Sequence, residues 1–159
     1  MSKRRTPQTT RGLRPDKRHP WRHENTGRLL LMSVINWQDI LVRGLQKKGF
    51  KKFRASHMNL LRHIDVEGTR ITEIAERARL SKQAIGQLVA SCRSEQLVKV
   101  VQDPTDRRAK IVVFTDLGQA VIQAERQVMI DMDERLRRLL SVRGLRELHR
   151  VLGRLAEWK

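Results

Sequence analysis

Two glutamines one helical turn apart could carry the most specific chemistry in this sequence. Gln83 and Gln87 lie in segment 81–94, whose apolar residues share one helical face at about 100° per residue (Ile85, Leu88, Val89 and Cys92). The two glutamines point the opposite way, together with the small residue Ala90. Because a glutamine amide donates and accepts hydrogen bonds together, it suits the N6/N7 edge of adenine in a DNA major groove. The alternative is an ordinary solvated helix face.

Polar and basic residues at both ends of the same segment fit phosphate contacts. Ser81 is a good N-cap, and the helix N-terminus behind it offers N–H groups to a phosphate. Lys82 and Arg93 flank the outward face and could bind neighbouring phosphates. The pattern therefore predicts a helix that contacts bases through its outward face and the DNA backbone at its ends.

A polar loop with adjacent arginines follows this helix. β-Branched residues at 98–101 and 111–113 predict two strands, and segment 102–110 between them predicts a basic hairpin loop. Arg107 and Arg108 lie at its tip, where they could enter a narrow minor groove, and Lys110 follows them. Asp106 would repel phosphate, so we expect it to accept hydrogen bonds and fix an arginine rotamer. The alternative is a solvated charged turn.

The elements around these residues predict a winged helix-turn-helix. Short helical patterns at 71–78 and 81–94, a tight turn and the hairpin form the lobe. The apolar stripes from residue 29 to 45 cover two sides of a helix, which requires a partner subunit. Thr115 caps a long helix, and Gly144 lies near its junction with a last helix. We expect these outer helices to pack between subunits, with folding back onto the lobe as the alternative. The fold class is mainly α with a small β-hairpin wing.

Composition points to a polyanionic partner. The 159 residues contain 34 Lys and Arg against 17 Asp and Glu, giving a formal net charge of +17, with 39% apolar residues. This length predicts one domain, or one domain with a tail. Residues 1–28 carry a charge of +7 and are expected to form a basic, flexible arm, which is either a DNA-contacting extension or a solvated tail. The remaining residues carry +10, so the argument does not depend on the arm.

Several other functions find no support in the sequence. Cys92 shares the buried face of its helix, so redox sensing is not expected. His19 and His23 are separated by Pro20, which argues against a metal site. Neither a nucleotide-binding loop nor an HExxH motif occurs, so no enzyme and no cofactor are predicted. We see no membrane span and no secretory signal, and expect a cytoplasmic protein associated with a bacterial or archaeal nucleoid.

The stretches ITEIAERARLSKQAIGQLVASCRSEQLV, DPTDRRAK and VVFTDLG resemble the MarR family of winged helix transcription regulators. The wing resembles the family pattern D-x-R-x-K through Asp106, Arg108 and Lys110, and the likeness extends over residues 29–158. Where the family usually has a glycine after the recognition helix, this chain has Gln96.

The resemblance implies a homodimer with intertwined outer helices and two recognition helices in successive major grooves, roughly 10 bp apart. It also implies repression of a promoter and a small aromatic or anionic effector bound between the dimerisation helices and the lobe. Trp37, His57 and Met58 are candidates for that crevice. The competing interpretations are a dimer core for Trp37 and a satisfied core histidine for His57.

The resulting domain plan is an arm at 1–28, a dimerisation helix at 29–52, the DNA-binding lobe at 53–118 and C-terminal dimerisation helices at 119–159. Two functions remain open. One is a sequence-specific regulator of double-stranded DNA that acts as a homodimer. The other is a winged-helix protein that binds structured RNA, or coats DNA with little sequence preference.

Overall fold

The computed structural model describes residues 25–106 and 108–158. Its elements, in chain order, are α1 (Thr26–Lys47), α2 (Ala55–Leu61), β1 (Thr69–Arg70), α3 (Ile71–Ala78), α4 (Lys82–Ser94), β2 (Val98–Gln102), β3 (Lys110–Phe114) and α5 (Asp116–Glu157). They form a mainly helical fold with one small antiparallel sheet, which confirms the predicted fold class. Residues 1–24, most of the predicted basic arm, lie outside the described residues.

The chain divides into two units, residues 1–38 and 39–159. In the first unit, Asn25 precedes α1 and its side-chain Oδ1 accepts the N–H of Arg28 at 2.9 Å, as a helix cap does. The apolar residues that follow stay exposed (Leu29, Leu30, Leu31, Val34 and Ile35). The dense apolar pattern therefore forms the predicted helix, and much of its apolar surface remains accessible in the single chain.

In the second unit, the end of α1 packs against the first half of α5. Leu41 and Leu45 of this part of α1 are fully buried. Gly44 faces α5 so closely that an added Cβ would lie 2.6 Å from Cγ1 of Val128. The absence of a side chain at Gly44 thus allows the close approach of the two helices.

Helices α2, α3 and α4 enclose the core of the lobe. Leu60, Ile74 and Ile85, one from each helix, are fully buried. The link between α3 and α4 turns sharply because Arg79 adopts a left-handed conformation (φ 53°), and its N–H donates to carbonyls of α3. This geometry gives the compact helix-turn-helix that the sequence predicts.

The wing is a three-stranded sheet in the order β1-β3-β2. β2 and β3 pair from Val98↔Phe114 to Gln102↔Lys110, as the hairpin prediction requires. The third strand, β1, was not predicted, since two residues are too few for a periodic pattern. Gly68 precedes it with a φ of +98° and lies close to β3, where an added Cβ would meet the carbonyl oxygen of Val112 at 3.0 Å.

Helix α5 begins as predicted and is interrupted at one residue. The Thr115 hydroxyl accepts the N–H of Gly118 at 3.0 Å, which confirms the predicted cap. At Ser141 the backbone leaves the helical region (φ 65°), so the junction lies three residues before Gly144. Ser141 Oγ accepts the N–H of Gly144 at 3.3 Å and so caps the helix that continues.

Candidate nucleic-acid interface

The N-terminus of α4 is built by Ser81. This residue has the extended conformation of an N-cap, and its Oγ accepts the N–H of Ala84 at 3.1 Å. The hydroxyl is thus engaged in capping, while the helix terminus keeps its partial positive charge. Ser81 therefore fixes the residue at which α4 starts.

The outward face of α4 is the face that the sequence predicts. Gln83 and Gln87 are exposed, and so are the flanking cations Lys82 and Arg93. Gly86 of the same helix has no side chain and is exposed, and a Cβ added there would meet nothing within 4 Å. The structure places both glutamines where a nucleic acid could reach their amides.

The opposite face of α4 is buried and holds the cysteine. Cys92 is fully buried with Ile85 and Val89, and burial raises the pKa of its thiol to about 12. The reactive thiolate is therefore strongly disfavoured. Cys92 packs as a small apolar residue of the lobe.

Arg79 is an exposed cation in the turn between α3 and α4, and it was not among the predicted contact residues. It ends α3 and stands two residues before the cap of α4. Its position beside a helix N-terminus makes it a further candidate for a phosphate contact. A basic residue within the turn of a helix-turn-helix is the sequence signal that could have identified it.

Asp106 shapes the wing loop through backbone contacts. Its Oδ1 accepts the N–H of Arg108 at 3.0 Å, and its carbonyl oxygen accepts the N–H of Ala109 at 2.9 Å. Asp106 is thus a hydrogen-bond acceptor, as expected. The donor is the backbone N–H of Arg108, whereas the prediction was that Asp106 fixes an arginine side chain. Arg107 lies outside the described residues. Arg108 and Lys110 are exposed.

A different carboxylate binds an arginine side chain at the wing. Asp103 is buried, and its Oδ2 accepts from Nε of Arg70 at 2.6 Å. Its Oδ1 accepts both the hydroxyl and the N–H of Thr105, at 2.6 and 2.8 Å. The Thr105 hydrogen bonds and the Arg70 guanidinium lower the pKa of Asp103 to about 2. Sequence reasoning missed this pair because its members are 33 residues apart and follow no period.

The cations of the lobe fall into two groups. In the first group, Arg70 forms an ion pair with Asp103, and Arg77 forms ion pairs with both Asp65 and Glu73. Among the described residues, five candidate site cations form no ion pair within 4 Å (Arg79, Lys82, Arg93, Arg108 and Lys110). These unpaired candidate cations therefore lie in the turn before α4, on α4 itself and on the wing.

The three candidate effector residues differ in burial. Trp37 is half-buried in the first unit, while His57 and Met58 are buried in the lobe. Nδ1 of His57 accepts the N–H of Arg54 at 3.3 Å, and its Nε2 lies 3.3 Å from Ser91 Oγ. Burial lowers the pKa of His57, and Arg54 lowers it further, against the opposing effect of Glu95. His57 is thus a neutral, hydrogen-bonded histidine, and its role toward an effector stays a prediction.

A pocket of about 220 Å³ lies beside His57. Its walls combine apolar and charged residues (Gly49, Phe50, Lys51, Lys52, Phe53, His57, Glu95, Leu97 and Leu117). Lys52 Nζ lies 3.6 Å from the carboxylate of Glu95, the residue at the C-cap of α4. The pocket therefore reaches the end of the helix that carries the glutamines.

Within residues 25–106 and 108–158 there is no cluster of three or more His, Cys, Asp or Glu that could hold a metal ion. His19 and His23 lie outside the described residues. None of the helices in the described part is long and apolar enough to span a membrane.

The fold and this arrangement define a winged helix-turn-helix protein. Residues 53–109 match the model of the MarR family. The winged helix-turn-helix of this chain is therefore similar to that of the MarR family. The sequence is also 29% identical over 84 residues to an uncharacterized HTH-type transcriptional regulator, YxaD, of Bacillus subtilis, a match covering 52% of this chain and 58% of that relative.

Solved structures agree in fold over most of the chain. A cysteine-to-serine mutant of MarR from E. coli, solved with operator DNA, is similar with a TM-score of 0.67 and 20% identity, covering 85% of this chain and 96% of that one. BpsR of Bordetella bronchiseptica, whose DNA binding is regulated by 6-hydroxynicotinic acid, gives a TM-score of 0.65 and 16% identity over 86% of this chain and 96% of that one.

Proposed function

We propose that this protein is a transcription regulator that binds double-stranded DNA in a sequence-specific way. As a homodimer on a pseudo-palindromic operator, it acts as a repressor, and a small aromatic or anionic effector releases it. The observation that carries the proposal is the exposed, glutamine-bearing face of α4 followed directly by a wing with the exposed Arg108.

The recognition helix fits this function by shape and chemistry. A B-DNA major groove admits an α-helix, and each base pair presents a distinct pattern of donors and acceptors there. Gln83 and Gln87 offer two exposed amides on one face of α4, and the exposed Gly86 of the same helix adds no side chain. The unpaired cations Lys82 and Arg93 supply phosphate contacts at the two ends of the same helix.

The wing supplies a second type of contact. Asp106 orders the loop backbone through Arg108, which presents that arginine on the surface. An arginine in a narrow minor groove meets an enhanced negative potential. Contacts in both grooves would define the register of each lobe on its half-site.

The homodimer is supported by apolar surface that a single chain leaves exposed. Leu29, Leu31 and Val34 of the first unit are each more than half exposed. In the second unit, the second half of α5 and Trp158 directly after it expose a further set (Leu139, Leu140, Val142, Val151, Leu152 and Trp158). Burial of such surface against a second copy is favourable by about 25 cal/mol per Å².

The effector role is supported by the pocket beside His57. Its aromatic walls, Phe50 and Phe53, and its lysines, Lys51 and Lys52, suit a ligand that joins an apolar body to an anionic group. BpsR, which shares the fold, is regulated by a small aromatic acid. A ligand here would act on α4 through Glu95.

The alternative function is nucleic-acid binding with little sequence preference, and the net charge of +17 favours it. Mutations at the predicted DNA contacts distinguish the sequence-specific regulator from this alternative. Duplexes selected by the protein from a random pool serve as the probe. Gln83→Ala and Gln87→Ala should each relax preference at one or two positions per half-site. Arg108→Ala should weaken binding by about 1–3 kcal/mol.

The matched control is Arg126→Ala, which removes an exposed arginine of α5 and should leave affinity and preference unchanged. If the pool yields no preferred duplex, or the glutamine variants reduce affinity equally for all sequences, the sequence-specific function is wrong. The second function then stands.

A further inference from the structure

The Arg70–Asp103 ion pair spans the whole width of the wing sheet. Arg70 lies on β1 opposite Ile111 of β3, and Ile111 pairs with Val101 of β2. Asp103 follows the end of β2, the strand on the far side. The guanidinium therefore reaches across the central strand to the point where the wing loop begins.

Asp103 is also a hydrogen-bonding centre of that loop. Besides Arg70, its carboxylate binds both the hydroxyl and the N–H of Thr105. Its backbone N–H donates to the carbonyl of Ala109 at 3.0 Å, and its carbonyl accepts the N–H of Asp106 at 3.3 Å. The position of Asp103 thus sets the path of both arms of the loop that presents Arg108.

Arg70 connects this loop to the helix-turn-helix. Its backbone is the N-cap position of α3, the helix packed against α4. Among the described residues 103–106 and 108–109, hydrogen bonds and ion pairs to a side chain outside the hairpin go to Arg70 alone. One side chain therefore links the start of the helix-turn-helix to the wing loop.

The chemistry of the ion pair fixes the orientation of the Asp103 carboxylate relative to the Arg70 guanidinium. The Asp103 side chain is 7% exposed, and a buried carboxylate needs partners in defined positions. A planar guanidinium holds a carboxylate at fixed angles, which a lysine ammonium does not. Loss of either partner would leave the loop connected to the helices through its two strands and the backbone pairing of β3 with β1.

We propose that Arg70 and Asp103 are positioning residues that orient the wing relative to α4, so that Arg108 reaches DNA while the recognition helix lies in its groove. This inference rests on the proposed function. Neither Arg70 nor Asp103 touches DNA in it.

A double-mutant cycle on a selected duplex tests the inference. In the wild-type background, Arg108→Ala should weaken binding about five- to 150-fold, the scale of one good contact. In an Asp103→Asn background, the same change should cost less than about threefold, because the wing no longer delivers Arg108. Arg70→Gln should reduce the effect of Arg108→Ala in the same way.

Gln87→Ala shows whether Asp103→Asn changes only the orientation of the wing or damages the whole fold. Its loss of base preference should be the same in the wild-type and Asp103→Asn proteins, since α4 still reads its groove. An Arg108→Ala effect of equal size in both backgrounds overturns the inference. The inference is also overturned if the Asp103→Asn background reduces the effects of Gln87→Ala and Arg108→Ala equally. That result would indicate that Asp103 only supports the fold. If the wild-type protein binds no duplex, the proposed function fails, and the inference fails with it.

Discussion

At the scale of single residues, Gln96 has an unusual backbone conformation at the end of the recognition helix. Its φ of 56° lies in the left-handed region, which costs a residue with a Cβ roughly 1–2 kcal/mol. The Thr115 hydroxyl donates to the carbonyl oxygen of Gln96, a contact that a glycine would keep. The glutamine where the family usually has a glycine therefore fits the turn at a cost in stability.

Gln96→Gly should raise the free energy of unfolding by about 1 kcal/mol, because the strain exceeds the added flexibility of the unfolded chain. Urea denaturation measures the change. Gln123→Gly, at an exposed helical position of α5, is the control and should lower stability by about 1 kcal/mol. A Gln96→Gly protein no more stable than wild type contradicts the argument.

His57 predicts a pH dependence of stability. Burial lowers its pKa in the folded protein below the ordinary value of 6.5, so the unfolded chain binds a proton more readily. The stability contributed by neutral His57 is therefore fully present above about pH 6.5 and is lost as the pH falls below it. The lowered pKa of His63 acts in the same direction.

The free energy of unfolding should thus fall between pH 7.5 and 5.5, and His57→Gln should make this fall smaller. Denaturation curves at the two pH values measure it. His149→Gln, at an exposed position of α5, serves as the control and should retain the wild-type slope. A wild-type-like slope in His57→Gln contradicts the assignment.

At the scale of elements, the sequence predicted the helices and the hairpin, because each has a regular pattern of apolar residues. The apolar stripes identified α1 to α5, and the β-branched runs identified the hairpin. Ser81 and Thr115 marked the starts of α4 and α5. The helical period also predicted which face of α4 points outward. The four predicted contact residues on and beside that face are exposed (Lys82, Gln83, Gln87 and Arg93).

The features that were missed depend on contacts between distant residues. β1 has two residues and exists by pairing with β3. The Arg70–Asp103 contact joins positions 33 apart. The break in α5 was predicted near Gly144 and lies three residues before it, at Ser141, whose positive φ no sequence pattern predicted.

The contact between α1 and α5 predicts the effect of adding one methyl group. Gly44→Ala would place a Cβ 2.6 Å from Val128, so the helices must separate, and we expect a loss of about 1–3 kcal/mol in stability. Gly153→Ala, where an added Cβ meets nothing within 4 Å, should instead stabilise by up to about 1 kcal/mol.

Thermal and urea unfolding of both variants measure these changes. The double variant Gly44→Ala/Val128→Ala should recover part of the loss, since it removes the two methyl groups in contact. A Gly44→Ala protein as stable as Gly153→Ala contradicts the close packing of α1 against α5.

At the scale of the whole molecule, the exposed apolar residues of α1 predict dimerisation. Wild type should sediment at about twice the chain mass of 18.6 kDa. Leu31→Glu, at a position 57% exposed in the single chain, should shift it toward the single-chain mass, because a carboxylate would be buried at the interface. Analytical ultracentrifugation measures both.

The matched control introduces the same charge elsewhere. Val66 is 79% exposed in the segment between α2 and β1, and Val66→Glu should remain dimeric. A Leu31→Glu protein that keeps the full dimer mass contradicts the dimerisation role of α1.

The central claim is that two lobes of a homodimer read one duplex. Footprinting on a selected duplex, with the protein-to-DNA ratio at saturation, tests it most directly. We predict two chains per site and two protected segments related by a two-fold axis, roughly one helical turn apart. Continuous protection that spreads along the DNA as protein is added, without a symmetric site, would contradict the claim.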